Sequence, residues 1–194
     1  MRFINRTGAM LLLAAITFSC GPKNSNETDS NKVAEEANED KFQSKEGEKD
    51  AEFVAQTVAC NFGDIQLSQL AQQKTNNDQV KEVAKNIEEN HSKLLKDLQN
   101  LAEEKAISLP TEAEDAKKRK IEDLTKETDI RDFNKEWCKE MVSSHEKTIK
   151  DFEDRWEKTE DPELKNWIAE TLPHLRSHLD KIKSCDESVA NASK

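Results

Sequence analysis

The sequence predicts an all-α protein whose core is four long helices folded as two hairpins. Three observations carry that prediction. First, apolar and small residues recur at alternating steps of three and four along four long stretches, the spacing of a helix seam packed on other helices. Second, glycine is scarce, with four in 194 residues and the last at Gly63, so every later turn is made without one. Third, charged residues make up 36% of the chain, which suits the solvated outer faces of helices. The length fits one domain plus extensions. A net charge of −10, with Lys and Glu interleaved, lacks the basic stripe that nucleic-acid binding requires, and excludes nucleic acid as a partner.

The chain opens on a leader. Arg2 and Arg6 precede an apolar run from Ala9 to Phe18, which ends in Thr17-Phe18-Ser19-Cys20-Gly21. A basic start, a short apolar run and a small residue before the break mark a secretory signal. The run is too short to span a bilayer. A cysteine just after the small residue resembles the lipobox of bacterial lipoproteins, with Thr17 where the common pattern has Leu. Residues 1–19 therefore read as a lipoprotein signal peptide and Cys20 as the lipidated residue. The alternative is an ordinary signal peptide that leaves Cys20 near the mature end. The expected location is the bacterial cell envelope, lipid-anchored at the outer membrane or on the periplasmic face. The membrane is then a partner through the anchor, and no protein partner is named. Residues 20–48 are rich in Asn, Ser, Lys, Glu and Asp, cannot bury enough surface to offset ordering, and read as a disordered tether. Residues 49–186 read as the helical domain and 187–194 as a disordered tail.

The first core helix is expected from about Lys49 to Lys74, with a seam of Phe53, Thr57, Cys60, Asp64, Leu67 and Ala71. Gly63 inside it costs about 1 kcal/mol relative to Ala, and is either tolerated or admits a close neighbour. Asn76-Asn77-Asp78 supplies turn and capping chemistry. The second helix runs to about Ala106, with Val80, Ala84, Ile87, His91, Leu94, Leu98 and Leu101 on its seam. Leu109-Pro110 breaks the chain, and Thr111 with Glu114 makes a capping-box pattern. The charged segment from Glu112 to Lys126 reads as a helix crossing the outside. Such a crossover between the second and third core helices gives a ferritin-like four-helix bundle rather than a simple up-and-down one. Asp129 can cap the third helix, whose seam is Phe133, Trp137, Met141, His145, Ile149, Phe152 and Trp156. Asp161-Pro162 starts the fourth, with Leu164, Ile168, Thr171, Leu175, His178, Ile182 and Cys185 on its seam. Pro173 falls inside that helix and should kink it.

Several stretches carry a family resemblance. They are Asp50-Ala51-Glu52-Phe53-Val54, Leu67-Ser68-Gln69-Leu70-Ala71, Asn90-His91-Ser92-Lys93, Ser144-His145-Glu146-Lys147 and the run Thr171 to Leu179. Together they resemble the bacterial family known as domain of unknown function 4142, over about Lys49 to Ile182. Asn90 stands where the family usually has Asp, and Asp64 where it usually has Glu. The resemblance implies a ferritin-like fold and an envelope location, and supplies no activity.

Four ionisable residues sit on the seams: Asp64, His91, His145 and His178. Counting outward from each hairpin turn puts His145 level with Ser177, and Asp64 level with Glu88. Buried groups of this kind must pair or bind a metal. Glu88-Glu89-Asn90-His91 is the Glu-x-x-His element of di-iron carboxylate proteins, but Leu175 stands three before His178 and the second such motif is missing. The candidate ligands for a single transition-metal ion are Asp64, Glu88, His91, His145 and His178, a set suited to Fe, Zn or Cu. The competing reading is a polar layer that fixes helix register. Cys138 and Cys185 are level across the second hairpin and are expected to form a disulfide, with Cys60–Cys185 as the rival pairing. No nucleophile elbow, phosphate loop or Cys-x-x-Cys motif occurs. Two functions follow. One is a non-enzymatic envelope lipoprotein with a binding or stress-related role. The other is a metal-binding, ferritin-like protein built on the His/carboxylate cluster.

Overall fold

A computed structural model describes residues 29–192. Among the described residues there are six helices, about 85% of the positions, and no strands. They are α1 (Ser30–Glu39), α2 (Lys45–Lys74), α3 (Asp78–Glu104), α4 (Asp115–Lys126), α5 (Ile130–Lys158) and α6 (Pro162–Ala192). The leader and Cys20 lie outside the described residues. Among the described residues no helix is long and apolar enough to cross a membrane.

Helices α2 and α3 form one hairpin and α5 and α6 the other; α2 packs on α5, and α3 on α6. Local chemistry starts α3, α5 and α6. The Asn77 side chain accepts from the Gln79 and Val80 amides, Asp129 from Arg131 and Asp132, and Asp161 from Glu163 and Leu164. These bonds satisfy donors that the first helical turn leaves orphaned. Pro162 takes the first helical position of α6 and Pro173 lies within that helix, so the Ala169 carbonyl loses its helical donor. The α4 helix crosses on the outside of α2 and α5. The Lys74 ammonium from α2 holds its end by donating to the carbonyls of Leu124, Thr125 and Glu127 at 3.0, 2.7 and 2.6 Å.

The interior consists of two apolar clusters. One is centred on Val54, Val58, Leu98, Phe152, Ile168 and Leu175. The other is centred on Leu67, Ile87, Phe133, Trp137, Met141 and Ile182. The buried polar residues Asp64, His91, Ser144, His145 and His178 lie along the helices between the two. Burying side chains of this size contributes about 1.5–3 kcal/mol each, so the clusters on either side hold the polar layer in place.

Four differences from the sequence reading have physical reasons. Residues 30–39, expected within a tether, form α1, because Ala34 is buried and the Asn38 amide bonds both backbone groups of Ser108. The fourth long helix continues to Ala192, past the expected end at 186, because Val189 is buried in the second cluster. Thr111 caps nothing: α4 starts at Asp115, with Glu114 at the cap position and no side-chain cap bond. Trp156 leaves the seam for the surface, where the Lys165 ammonium sits 4.9 Å from its ring.

Candidate metal centre

Helices α3, α5 and α6 each deliver one imidazole to the polar layer. His91, His145 and His178 are 3%, 1% and 5% exposed. Their ring centroids are 5.3 Å apart for His91–His145, 5.5 Å for His91–His178 and 5.8 Å for His145–His178. One ring nitrogen from each lies within 4.8 Å of the other two. A tetrahedral ion with bonds near 2.1 Å needs its nitrogens about 3.4 Å apart, so the rings must close by roughly an ångström.

The ring nitrogens are prepared as ligands. His145 Nδ1 lies 2.9 Å from the Met141 carbonyl, which can only accept, so Nδ1 carries the hydrogen and Nε2 keeps its lone pair. This is how metal-ligating imidazoles are commonly oriented from behind. His145 Nε2, both nitrogens of His91 and Nδ1 of His178 are buried with no hydrogen-bond partner among the described residues. Burial pushes the His91 pKa down to about 4 and His178 down to about 3, the adjacent imidazoles adding to the effect. Burial lowers His145 as well. All three rings are therefore neutral at pH 7, the form that binds metals.

Asp64, from α2, stands behind His91, its Oδ2 3.9 Å from His91 Nδ1. Burial works against its charge, but the Lys117 ammonium at 3.2 Å and the Ser144 hydroxyl, which donates at 3.0 Å, hold its pKa below the usual carboxylate value. Lys117 reaches in from α4 and also meets Glu140 at 2.9 Å. Burial opposes its charge too, and the Asp64 and Glu140 carboxylates more than restore it, raising its pKa. Its stem crosses α2 at Gly63, where an added Cβ would overlap Lys117 Cγ. Of the two readings of the mid-helix glycine, the close neighbour is the one the structure shows: Gly63 is the passage for this lysine.

The structure brings together His91, His145 and His178 and places Asp64 beside them. It does not bring Glu88. That carboxylate accepts from Gln69 at 2.8 Å and Gln72 at 2.6 Å on the flank of α2, because Ile87 takes the inward position and one residue turns the helix by about 100°. A dinuclear carboxylate site does not fit these residues. Lys117, Ser144 and Glu140 were missed in the sequence; the one signal for Lys117 was the unexplained Gly63.

The cysteines stand apart from the imidazoles. Cys138 and Cys185 are level and in contact, but their sulfurs are 3.7 Å apart and both are free thiols, so the expected disulfide is absent as the chain stands. Cys60 lies 3.6 Å from Thr148 Oγ1 and 3.8 Å from Asp64 Oδ2. Burial and the Asp64 charge push its thiol up to about 11, so it is protonated in the metal-free protein at neutral pH.

Three neutral imidazoles on three helices can hold one ion of the Zn, Cu or Fe type and leave coordination positions open. A comparison with known families matches residues 33–185 to the family described as Domain of unknown function (DUF4142). No curated protein and no solved structure matches the chain.

Proposed function

The chain belongs to the DUF4142 family, and from that premise and the geometry of its interior we propose that it binds a single transition-metal ion through His91, His145 and His178. The observation that supports this most is that one ring nitrogen from each of three helices lies within 4.8 Å of the others, among buried imidazole nitrogens with no partner, while His145 Nδ1 is spent on a backbone carbonyl. Burying a polar atom with no partner costs about 1–3 kcal/mol, and an ion at the centre satisfies several at once. We read the two hairpins and their outer crossover as a ferritin-like four-helix bundle. The leader and Cys20 support placing that bundle in the bacterial envelope on a lipid anchor, with a binding or buffering role rather than a reaction.

The test is the metal content of untagged full-length protein, followed by cobalt(II) or zinc(II) titration in competition with a chelator. Wild-type protein binds one ion per chain; His145→Ala binds about 100-fold more weakly or worse. A folded wild-type protein that takes up neither metal contradicts the reading. The anchor is tested separately. A Cys20→Ser chain that still incorporates fatty acid rules out lipidation at that residue.

A second reading draws on the Asp64–Lys117–Ser144–Glu140 network, which is satisfied without any ion. In that reading the layer sets helix register and the bundle is a docking module. Its mark is a metal-free protein in which replacing His145 costs stability and changes nothing else.

A further inference from the structure

We infer that the groove between α3 and α6 is the port by which the ion enters and leaves, with Glu170 and His174 as its relay; this rests on the metal reading above. Two grooves reach the polar layer from opposite sides. One, of about 170 Å³ between α2, α4 and α5, is lined by Cys60, Lys117, Glu140 and Ser144. Its inner end is held by the Lys117 ammonium, 3.2 Å from Asp64, a fixed positive charge in the path of any cation. The other, of about 360 Å³, has His91 and His178 in its wall, so it opens directly onto two of the three rings.

The outer part of that second groove carries Asp97, Glu170 and His174, with Lys93 as an opposing cation. Asp97, Glu170 and His174 are exposed, and none has a hydrogen-bond or ion-pair partner among the described residues. On α6, Glu170, His174 and His178 follow at steps of four, and each such step turns the row by about 40°. The row therefore winds from solvent at Glu170 and His174 to the buried ring of His178. Carboxylate, imidazole and imidazole in succession offer an incoming cation a ligand at each stage, and the last is part of the centre.

The experiment is stopped-flow cobalt(II) uptake by the full chain, and chelator-driven release, for wild type and the Glu170→Gln/His174→Ala double variant. A relay speeds passage in both directions without altering the end states. Association and release should both slow by about tenfold, with Kd kept within about twofold and the salt dependence of uptake reduced. Lys147→Ala, in the opposite groove, should leave uptake as in wild type. Unchanged rates in the double variant overturn the port. So does a weakened Kd with faster release, which would make Glu170 or His174 a ligand of the bound ion. Faster uptake in Lys147→Ala, where one repelling cation has been taken from that groove, moves the entrance to the other side. A wild-type protein that binds no cobalt ends the metal reading and the port together, whereas normal binding with insensitive rates ends only the port.

Discussion

Arg155 and His145 are both buried polar residues on α5, at 7% and 1% exposure, yet their surroundings differ in kind. The Arg155 guanidinium meets the Glu46 carboxylate at 2.6 Å and Asp50 at 2.8 Å, and Thr159 donates to the other Asp50 oxygen at 2.9 Å. Charge is answered by opposite charge, and the cluster ties the start of α2 to the end of α5. The imidazole layer has no such closure. Its nearest carboxylate, Asp64, is already taken by Lys117 and Ser144, and four buried ring nitrogens have no hydrogen-bond partner among the described residues. The contrast teaches what a purely structural polar layer looks like in this chain, and the histidines do not look like it.

The sharpest way to break the comparison is to remove one member from each region. Arg155→Ala should lower stability, chiefly because the half-buried Asp50 carboxylate loses its partner, and leave cobalt affinity as in wild type. His145→Gln, which keeps much of the buried volume, should do the reverse, losing cobalt affinity with a smaller change in the urea midpoint of the metal-free protein than Arg155→Ala. Equal stability losses in both variants would erase the distinction. Lys117→Met should cost about 3 kcal/mol or more by stranding the buried Asp64 charge, and adding Asp64→Asn should recover most of it. If the second change deepens the loss, the pairing of the two is not what holds that side together.

Acid tests the same contrast. His91 and His178 titrate near 4 and 3 in the folded protein against 6.5 when free. As pH falls below 6.5 the unfolded chain takes up protons that the folded metal-free protein refuses, so stability falls with pH. The expected loss is about 1 kcal/mol per pH unit for each such imidazole, averaged over urea denaturation between pH 7 and 5 and steepening toward about 1.4 at the acid end. His91→Leu should reduce the slope by one imidazole's share; an unchanged slope would show that its ring titrates normally. Two smaller effects concern the backbone. Gly63→Ala should destabilise the wild type, where the new Cβ would overlap Lys117 Cγ, and cost less in a Lys117→Ala chain, where only the Cβ contact at 3.2 Å remains against the helix-propensity gain of about 1 kcal/mol. Ala106 has a φ of 56°, in the left-handed region after α3, so Ala106→Gly should raise stability by up to about 1 kcal/mol. A loss there would mean that the turn does not bear strain.

Much of the fold was legible because it rests on periodicity and caps, which are local. The α6 seam is buried at every expected position from Leu164 to Cys185, and the capping roles of Asn77, Asp129 and Asp161 are read directly from residue type. The three histidines were legible too, since seam position and distance from a hairpin turn fix both face and height. What was not legible depends on side chains that reach across helices. Lys117 lies on a charged helix that resembles any solvated surface, and only its partner Asp64 makes it part of the interior. Glu88 matched a motif by spacing, but the motif says nothing of Gln69 and Gln72, which draw it aside. The α1 helix is short and carries few large apolar residues, and Asn38 ties it to the backbone of Ser108, a contact with sequence separation of 70 that no local pattern shows.

The central claim is that three imidazoles share one ion. X-ray absorption at the metal edge of the zinc-loaded full-length protein tests it most directly. The account predicts a low-coordinate shell near 2.0–2.1 Å with the outer scattering of three histidine rings, falling to two in His178→Ala. A shell of six oxygens, or a spectrum indifferent to that substitution, would contradict it.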